Sequence, residues 1–345
     1  MIIYMPPFWN IQPVPKDGTE PGEIDKGREC NSKPLSLPDG LMWSQSTLDE
    51  VCLFLSNYYV SNDTFKLVYE KNTLKWAIQD HIAIRRIDTS ELMGYISSAP
   101  LDVRVEGDVK KMVQINFLCI HPSQRSTGLA QLLISEIKRL ANNKGIWQAV
   151  ATAVARVPTP ITKAHYWHRF LDVKKLINLG FHETNRPRET YYEVRGPCKY
   201  SWRKMTSKDV PRVTHILKEY TKDFKIAPVI TKDYVKRWVL PTHAYVNDES
   251  DTFISLYNIP YERTDGEGTV KQAYRFYLVG DVYNDAFLIA KNLGYDVFNT
   301  LDVGVDTVGL EKNKFMKGSG HIFYYLFNWN LSDIISNEKI HLILP

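Results

Sequence analysis

The sequence predicts an α/β protein of two domains, each built of strand meanders packed by helices. Three observations point there. Apolar runs of strand length, bounded by Gly, Pro and polar turn residues, recur along the whole chain. Between them lie segments whose apolar residues repeat at helical spacing, such as Leu129, Leu133, Ile137 and Leu140. The length of 345 residues exceeds one typical domain, and a Gly-Pro segment at 195–200 interrupts a pattern that then partly restarts. The expected layout is an extended arm over 1–40, a first domain over 41–195 and a second over 200–345.

Each element follows from local chemistry. The arm is rich in Pro, Gly and charge and carries the aromatic pair Phe8 and Trp9, suited to pin it to a core or to meet a ligand. Residues 46–59 place apolar side chains at 48, 51, 52, 55 and 58, a helix. Phe65, Leu67 and Tyr69 alternate and so share one face of a strand or extended loop. Residues 74–78 form a short helix. Strands over 82–87 and 92–97 are joined by Asp88-Thr89-Ser90, and a further strand at 103–106 turns through Gly107-Asp108 into 111–120. Residues 148–154 are a strand, after which Pro158 and Pro160 break the pattern. Residues 174–178 are helical, and Phe181 opens the last strand of this half, ending near Val194. Beyond the linker, Thr206-Ser207-Lys208-Asp209 caps a helix with apolar residues at 210, 213, 216 and 217. Strands are expected at 253–257, 273–279 and 298–301, with a helix over 283–293 stopped by Gly294.

Composition excludes several functions. The net charge of +4 comes from interspersed residues, so nucleic acid is not an expected partner. Cys30, Cys52, Cys119 and Cys198 are widely spaced, without Cys-x-x-Cys, so neither a metal site nor a disulfide framework is implied. Cys119, in an apolar strand, reads as a small buried hydrophobe. The first eight residues lack a basic n-region and contain Pro6 and Pro7, unlike a secretory signal. There is no run of about 18 apolar residues to span a membrane. Ile2 rules the chain out as an N-myristoylation substrate itself. A cytoplasmic, monomeric enzyme is the expectation.

One stretch carries chemistry. Residues 112–120 are mostly apolar and read as a buried strand, stopped by Pro122 and Ser123; Gly128 then opens a helix. Strand, tight loop and helix start make an anion site, because first-turn N–H groups point outward at the positive end of the helix. The loop spacing Arg125-x-x-Gly128-x-Ala130, with Ser126 between, resembles the pyrophosphate-binding motif of GNAT-type acyltransferases. Gly128 would let backbone approach phosphate, and Ala130 would let the helix sit close.

The strand Gln114-Ile115-Asn116-Phe117-Leu118-Cys119-Ile120-His121 resembles the first signature of the glycylpeptide N-tetradecanoyltransferases, or N-myristoyltransferases, with Gln114 in place of Glu. Phe8-Trp9-Asn10-Ile11-Gln12-Pro13-Val14-Pro15, Tyr166-Trp167-His168-Arg169, Asp296-Val297-Phe298-Asn299-Thr300-Leu301-Asp302 and the final Glu338 to Pro345 segment are similar to further stretches of that family, in order. The resemblance implies two tandem GNAT-like domains with mixed, mainly antiparallel sheets flanked by helices. It implies tetradecanoyl-CoA (myristoyl-CoA) as acyl donor, no prosthetic group, and proteins with an N-terminal glycine as acceptors.

It also assigns roles. Backbone amides of Phe117 and Leu118 would form the oxyanion hole, freed by a β-bulge. Asn116 and Thr152 would orient the glycine amine. The α-carboxylate of Pro345 would accept its proton, and the apolar end Ile340-His341-Leu342-Ile343-Leu344 reads as buried. Phe8, Trp9, Phe117, Leu118, Cys119, Ile120, Arg125, Ser126, Gly128, Leu129 and Ala130 would contact acyl-CoA. Phe65, Leu67, Tyr69, Tyr166, His168, Ser319 and Gly320 would contact the peptide. The chain departs from the family pattern at Gln114, at Gly128 (Arg in the family), at Met316 (Gly) and at Ser319 (Asp), and its acidic run is shortened to Ser61-Asn62-Asp63. A GNAT-type enzyme with another acyl chain or acceptor, and a non-catalytic homologue that binds acyl-CoA or lipidated N-termini, stay open at this point.

Overall fold

A computed structural model describes residues 7–181 and 189–344. Its strands are β1 (Leu41–Ser44), β2 (Phe65–Leu67), β3 (Asp80–Arg86), β4 (Leu92–Val105), β5 (Asp108–Ile120), β6 (Gln148–Ala153), β7 (Thr162–Phe170), β8 (Trp202–Lys204), β9 (Ile226–Pro228), β10 (His243–Asn247), β11 (Phe253–Asn258), β12 (Tyr261–Arg263), β13 (Thr269–Val270), β14 (Gln272–Val279), β15 (Val297–Leu301) and β16 (Met316–Phe327). Thirteen of these described strands form one sheet in the order β1-β3-β4-β5-β6-β16-β7-β15-β14-β11-β10-β8, with β9 added to the far end of β4. The sheet is mixed and mainly antiparallel, as expected: among the described strands only β5–β6 and β14–β15 pair in parallel. Strand β16, from late in the sequence, lies between β6 and β7 of the first half.

The amphipathic segments fold as their patterns require. The helix Leu48–Tyr58 opens on a capping box of Thr47 and Glu50, and buries Val51, Phe54 and Leu55. The helix Leu129–Asn143 turns Leu129, Leu133 and Ile137 onto Ile82, Ile84, Met93 and Ile96 of the sheet. Each such side chain contributes about 1.5–3 kcal/mol on full burial. The helix Val210–Thr221 follows the predicted cap, with Thr206 and Asp209 exchanging bonds.

Three expectations are corrected. The strands expected at 92–97 and 103–106 are one, β4, running through Pro100. Pro100 pairs with Val113 of β5, while β3 stops opposite Ser98 and β9 begins opposite Val103. The edge at Pro100 has no ladder to donate to, so its missing N–H costs nothing there. The strand expected over 181–194 is in part a short helix, Glu189–Tyr192; its stretch 182–188 lies outside the described residues. Tyr192 anchors this turn 5.2 Å from Phe170 and beneath the Arg169 guanidinium. The break expected after Pro160 ends at Thr162, where β7 begins; it carries Tyr166 and His168.

The apolar end of the chain is buried, as its composition implied. Ile340 bridges Ile226, the His341 N–H donates to the Ile226 carbonyl at 2.8 Å, and Leu342 and Ile343 lie in the core. Pro345 lies outside the described residues.

Candidate active site

The site begins where two strands part. Strands β5 and β6 pair in parallel from Met112 with Gln148 to Ile115 with Ala151, and no further. On the other side of β5 the register slips: Ser97 faces Asn116, but Tyr95 faces Cys119. Phe117 and Leu118 therefore oppose one residue, the bulge that the family resemblance implied. Phe117 adopts φ +58°, left-handed for a residue with a bulky side chain, a strain of about 1–3 kcal/mol that packing must hold. Tyr69 and Tyr59 hold it, their rings 5.0 and 6.0 Å from that of Phe117. Burial pushes the Tyr59 hydroxyl up to about 12, partly offset by the Phe117 backbone beside it.

A cavity of about 1380 Å³ opens between the parted strands, larger than the usual 300–1,000 Å³ small-molecule pocket. One arm runs beneath the helix Leu129–Asn143, lined by Val14, Ile134, Ile137, Ala141 and Phe327; the other passes the bulge to Tyr166, His168, Tyr274 and Ser319. Of the residues singled out in sequence, Trp9, Phe65, Leu67, Tyr69, Asn116, Phe117, Leu118, Cys119, Ile120, Arg125, Ala130, Thr152, Tyr166, His168, Ser319 and Gly320 line this one cavity. Four do not. Phe8 packs edge-on against Trp9 at 5.1 Å, the Leu129 side chain turns into the core, and Ser126 and Gly128 sit in the loop at the helix start. The carboxylate of Pro345 is outside the described residues, but its neighbour Leu344 lines the cavity.

The loop has the geometry of an anion cradle. Ser126 and Gly128 have φ of +65° and +92°, and no side chain caps the helix that starts at Leu129. Its first-turn N–H groups are thus directed out at the positive pole. A Cβ on Gly128 would meet only Gln131 Oε1, at 3.8 Å, so the left-handed backbone rather than crowding calls for glycine. Arg125 staples the loop, donating from Nη2 to the Tyr58 carbonyl at 2.9 Å and from Nε to the Ile120 carbonyl at 3.3 Å.

Electrostatics narrow the chemistry. Among the described residues lining the cavity there is no Asp or Glu. Burial pushes the Cys119 thiol up to about 12, which leaves it a poor nucleophile. Burial also raises Tyr69, Tyr166 and Tyr274 well above their usual range, so they stay protonated. His168 is drawn down by burial, partly offset by its bond to Asn299. The Asn116 amide nitrogen is buried without a partner among the described residues. The sequence reading missed Tyr59, Gln272, Tyr274 and Leu301 on the cavity wall. They come from separate segments, and only the strand register brings them together.

An apolar arm beside the start of a helix, and a polar arm that meets it at a bulged strand, define an acyltransferase. Family models agree on which: myristoyl-CoA:protein N-myristoyltransferase, with its N-terminal domain matching residues 23–164 and its C-terminal domain matching residues 180–342. The chain belongs to this family. It is 36% identical to glycylpeptide N-tetradecanoyltransferase 2 of Danio rerio over 98% of the chain and 77% of that protein. It is 34% identical to glycylpeptide N-tetradecanoyltransferase 1 of Arabidopsis thaliana over 98% of the chain and 88% of that protein. The crystal structure of Saccharomyces cerevisiae N-myristoyltransferase with bound myristoyl-CoA superposes with a TM-score of 0.90 at 26% identity, covering 98% of this chain and 94% of that one.

Proposed function

We propose that this chain moves a tetradecanoyl group from tetradecanoyl-CoA to the amine of an N-terminal glycine, by direct attack on the thioester. The yeast relative holds myristoyl-CoA, and here the apolar arm is lined by Val14, Ile134, Ile137, Ala141 and Phe327, with Arg125 and Ala130 flanking the Gly128 loop also on the cavity wall. The first domain, 41–195, binds the donor; the second, 200–345, completes the peptide groove. As the amine attacks, the thioester oxygen gains charge, and the backbone amides of Phe117 and Leu118 stabilise it, at about 3 kcal/mol for one well-placed donor. Asn116 and Thr152 orient the amine. The tetrahedral carbon then expels the CoA thiolate, which takes up the second proton that the attacking nitrogen must lose.

The glycine ammonium must lose a proton first, since its ordinary pKa of about 8 leaves it mostly protonated at neutral pH. One observation carries the assignment of the base: no carboxylate side chain lines the cavity among the described residues, while Leu344 does. The α-carboxylate of the next residue, Pro345, is the proton acceptor in this reading, and burial would raise its basicity. At the groove, exposed Ser319 stands where the family carries Asp, beside Lys317. The preference for basic peptides is correspondingly weaker. The test is mass spectrometry of a Gly-initiated peptide incubated with CoA thioesters of graded chain length, with an Ala-initiated peptide as control. Turnover peaking at fourteen carbons and restricted to glycine is expected; equal rates for Ala and Gly would refute it.

A further inference from the structure

Behind His168 a line of hydrogen bonds runs away from the cavity. His168 Nδ1 lies 2.7 Å from Asn299 Oδ1. Asn299 Nδ2 donates to Gln272 Oε1 at 2.6 Å, and Gln272 Nε2 donates to the Ile259 carbonyl at 3.1 Å. The Tyr274 hydroxyl adds a second donor to Gln272 Oε1 at 3.3 Å. Asn299 and Gln272 are fully buried, at 0% and 1% exposure, so solvent does not compete for these bonds.

The direction of the line is set at its inner end. A peptide carbonyl can only accept, so Gln272 must turn its NH₂ toward Ile259 and its oxygen toward Asn299. Asn299 must then turn its own NH₂ inward, which leaves its oxygen facing His168. That oxygen also can only accept, so the ring proton sits on Nδ1. In the neutral ring Nε2 is left with a bare lone pair. Nε2 lies toward Gly318, which lines the cavity as His168 does; a Cβ on Gly318 would overlap Nε2, so only glycine leaves that edge room.

We propose that Asn299 and Gln272 are positioning residues that fix the tautomer of His168, so that the cavity is offered a hydrogen-bond acceptor. The consequence for catalysis rests on the reading that this arm takes the peptide: the group facing His168 is an N–H or O–H donor. Without Gln272, the Asn299 amide is free to rotate and present NH₂ to His168, which moves the ring proton to Nε2 and reverses the polarity at the wall.

The test is two-bond ¹H–¹⁵N correlation of histidine-labelled full-length protein, with His168 assigned by its loss in His168→Gln. Wild type should show the Nδ1–H form. Gln272→Leu should populate the Nε2–H form and raise KM for a Gly-initiated peptide about fivefold, the scale of one hydrogen bond, with acyl-CoA affinity unchanged. Adding Asn299→Asp to Gln272→Leu should restore the Nδ1–H form, because a carboxylate accepts whichever way it turns. Nε2–H in the wild type overturns the proposal even if no variant folds. A tautomer indifferent to Gln272→Leu, or unrestored by Asn299→Asp, overturns it too. If the tautomers respond as stated and no peptide is turned over, the positioning stands and the proposed function fails.

Discussion

The two arms of the cavity are built from different materials. The arm beneath the helix Leu129–Asn143 is made by backbone: a parted strand pair, a bulge at Phe117 and Leu118, a left-handed Gly128 and the pole of a helix. Side chains there mainly supply apolar wall. The arm beyond the bulge is made by side chains: Tyr166 and His168 of β7, Gln272 and Tyr274 of β14, Ser319 of β16, and Asn299 of β15 behind them. Backbone features recognise what every donor of one class shares, a phosphate and a chain of methylenes. Side-chain features discriminate among acceptors. Changes on the first arm should therefore act on acyl-CoA binding as a whole, and changes on the second on peptide handling and proton transfer.

The sharpest separation comes from removing Leu344 and Pro345. Turnover should fall about 10²- to 10⁴-fold, the scale of losing a general base, while calorimetry finds acyl-CoA binding intact. Full activity in the truncated chain would move the base to His168 or water. Next in size is a pH effect at His341, buried in the core away from the cavity wall. Burial, then the Arg275 charge, lowers its pKa to about 3. The unfolded chain binds this proton below about 6.5 and the folded one does not, so stability falls as pH drops through that window. The slope is about 1.4 kcal/mol per pH unit. His341→Phe, in its box of Tyr220, Phe224 and Tyr277, should flatten the melting temperature between pH 6.5 and 4; an unchanged slope would show that other groups set it.

Gly128→Val should weaken acyl-CoA binding at least tenfold, about 1.4 kcal/mol, because a β-branched residue resists the left-handed φ that aims the loop amides. Unaltered affinity by calorimetry would detach this loop from the phosphate. The smallest change is Ser319→Asp. An exposed ion pair is worth about 0.2–1 kcal/mol, so affinity for a lysine-containing peptide should rise by a few-fold at most relative to its alanine variant. Equal gains for both peptides would remove Ser319 from the groove's selectivity.

The same difference in materials explains what could be read without coordinates. The first arm is largely contiguous in sequence, so 114–130 announces its strand, stop, glycine and helix, while the bulge was implied only by the family resemblance. The second arm is scattered. Tyr166 and His168 were visible through a four-residue match, but nothing local marks Gln272 as their neighbour. It becomes one because β14 pairs in parallel with β15, placing Tyr274 opposite Asn299, and β15 pairs with β7, placing Asn299 opposite His168. Strand β16 escaped notice because Gly318-Ser319-Gly320 interrupts its alternation; in the sheet these residues form the bulge between Lys317 and His321. The region around Pro100 errs in the opposite sense: two strands, 92–97 and 103–106, are expected where the sheet has one.

The seat of β16 has a consequence for how the molecule comes into being. Strands β6 and β7 are near neighbours in sequence, yet they face each other across a gap that only Met316–Phe327 fills. A ribosome delivers both strands long before it delivers their common partner. Until then two unpaired edges stand open beside a large apolar slot, the kind of surface that invites wrong strands and chaperones. Closure waits for a contact of very long sequence separation, which is entropically slow. The nascent chain is therefore most exposed to aggregation between the emergence of Phe170 and that of Phe327, and a fragment ending before Met316 should leave the ribosome without a finished sheet.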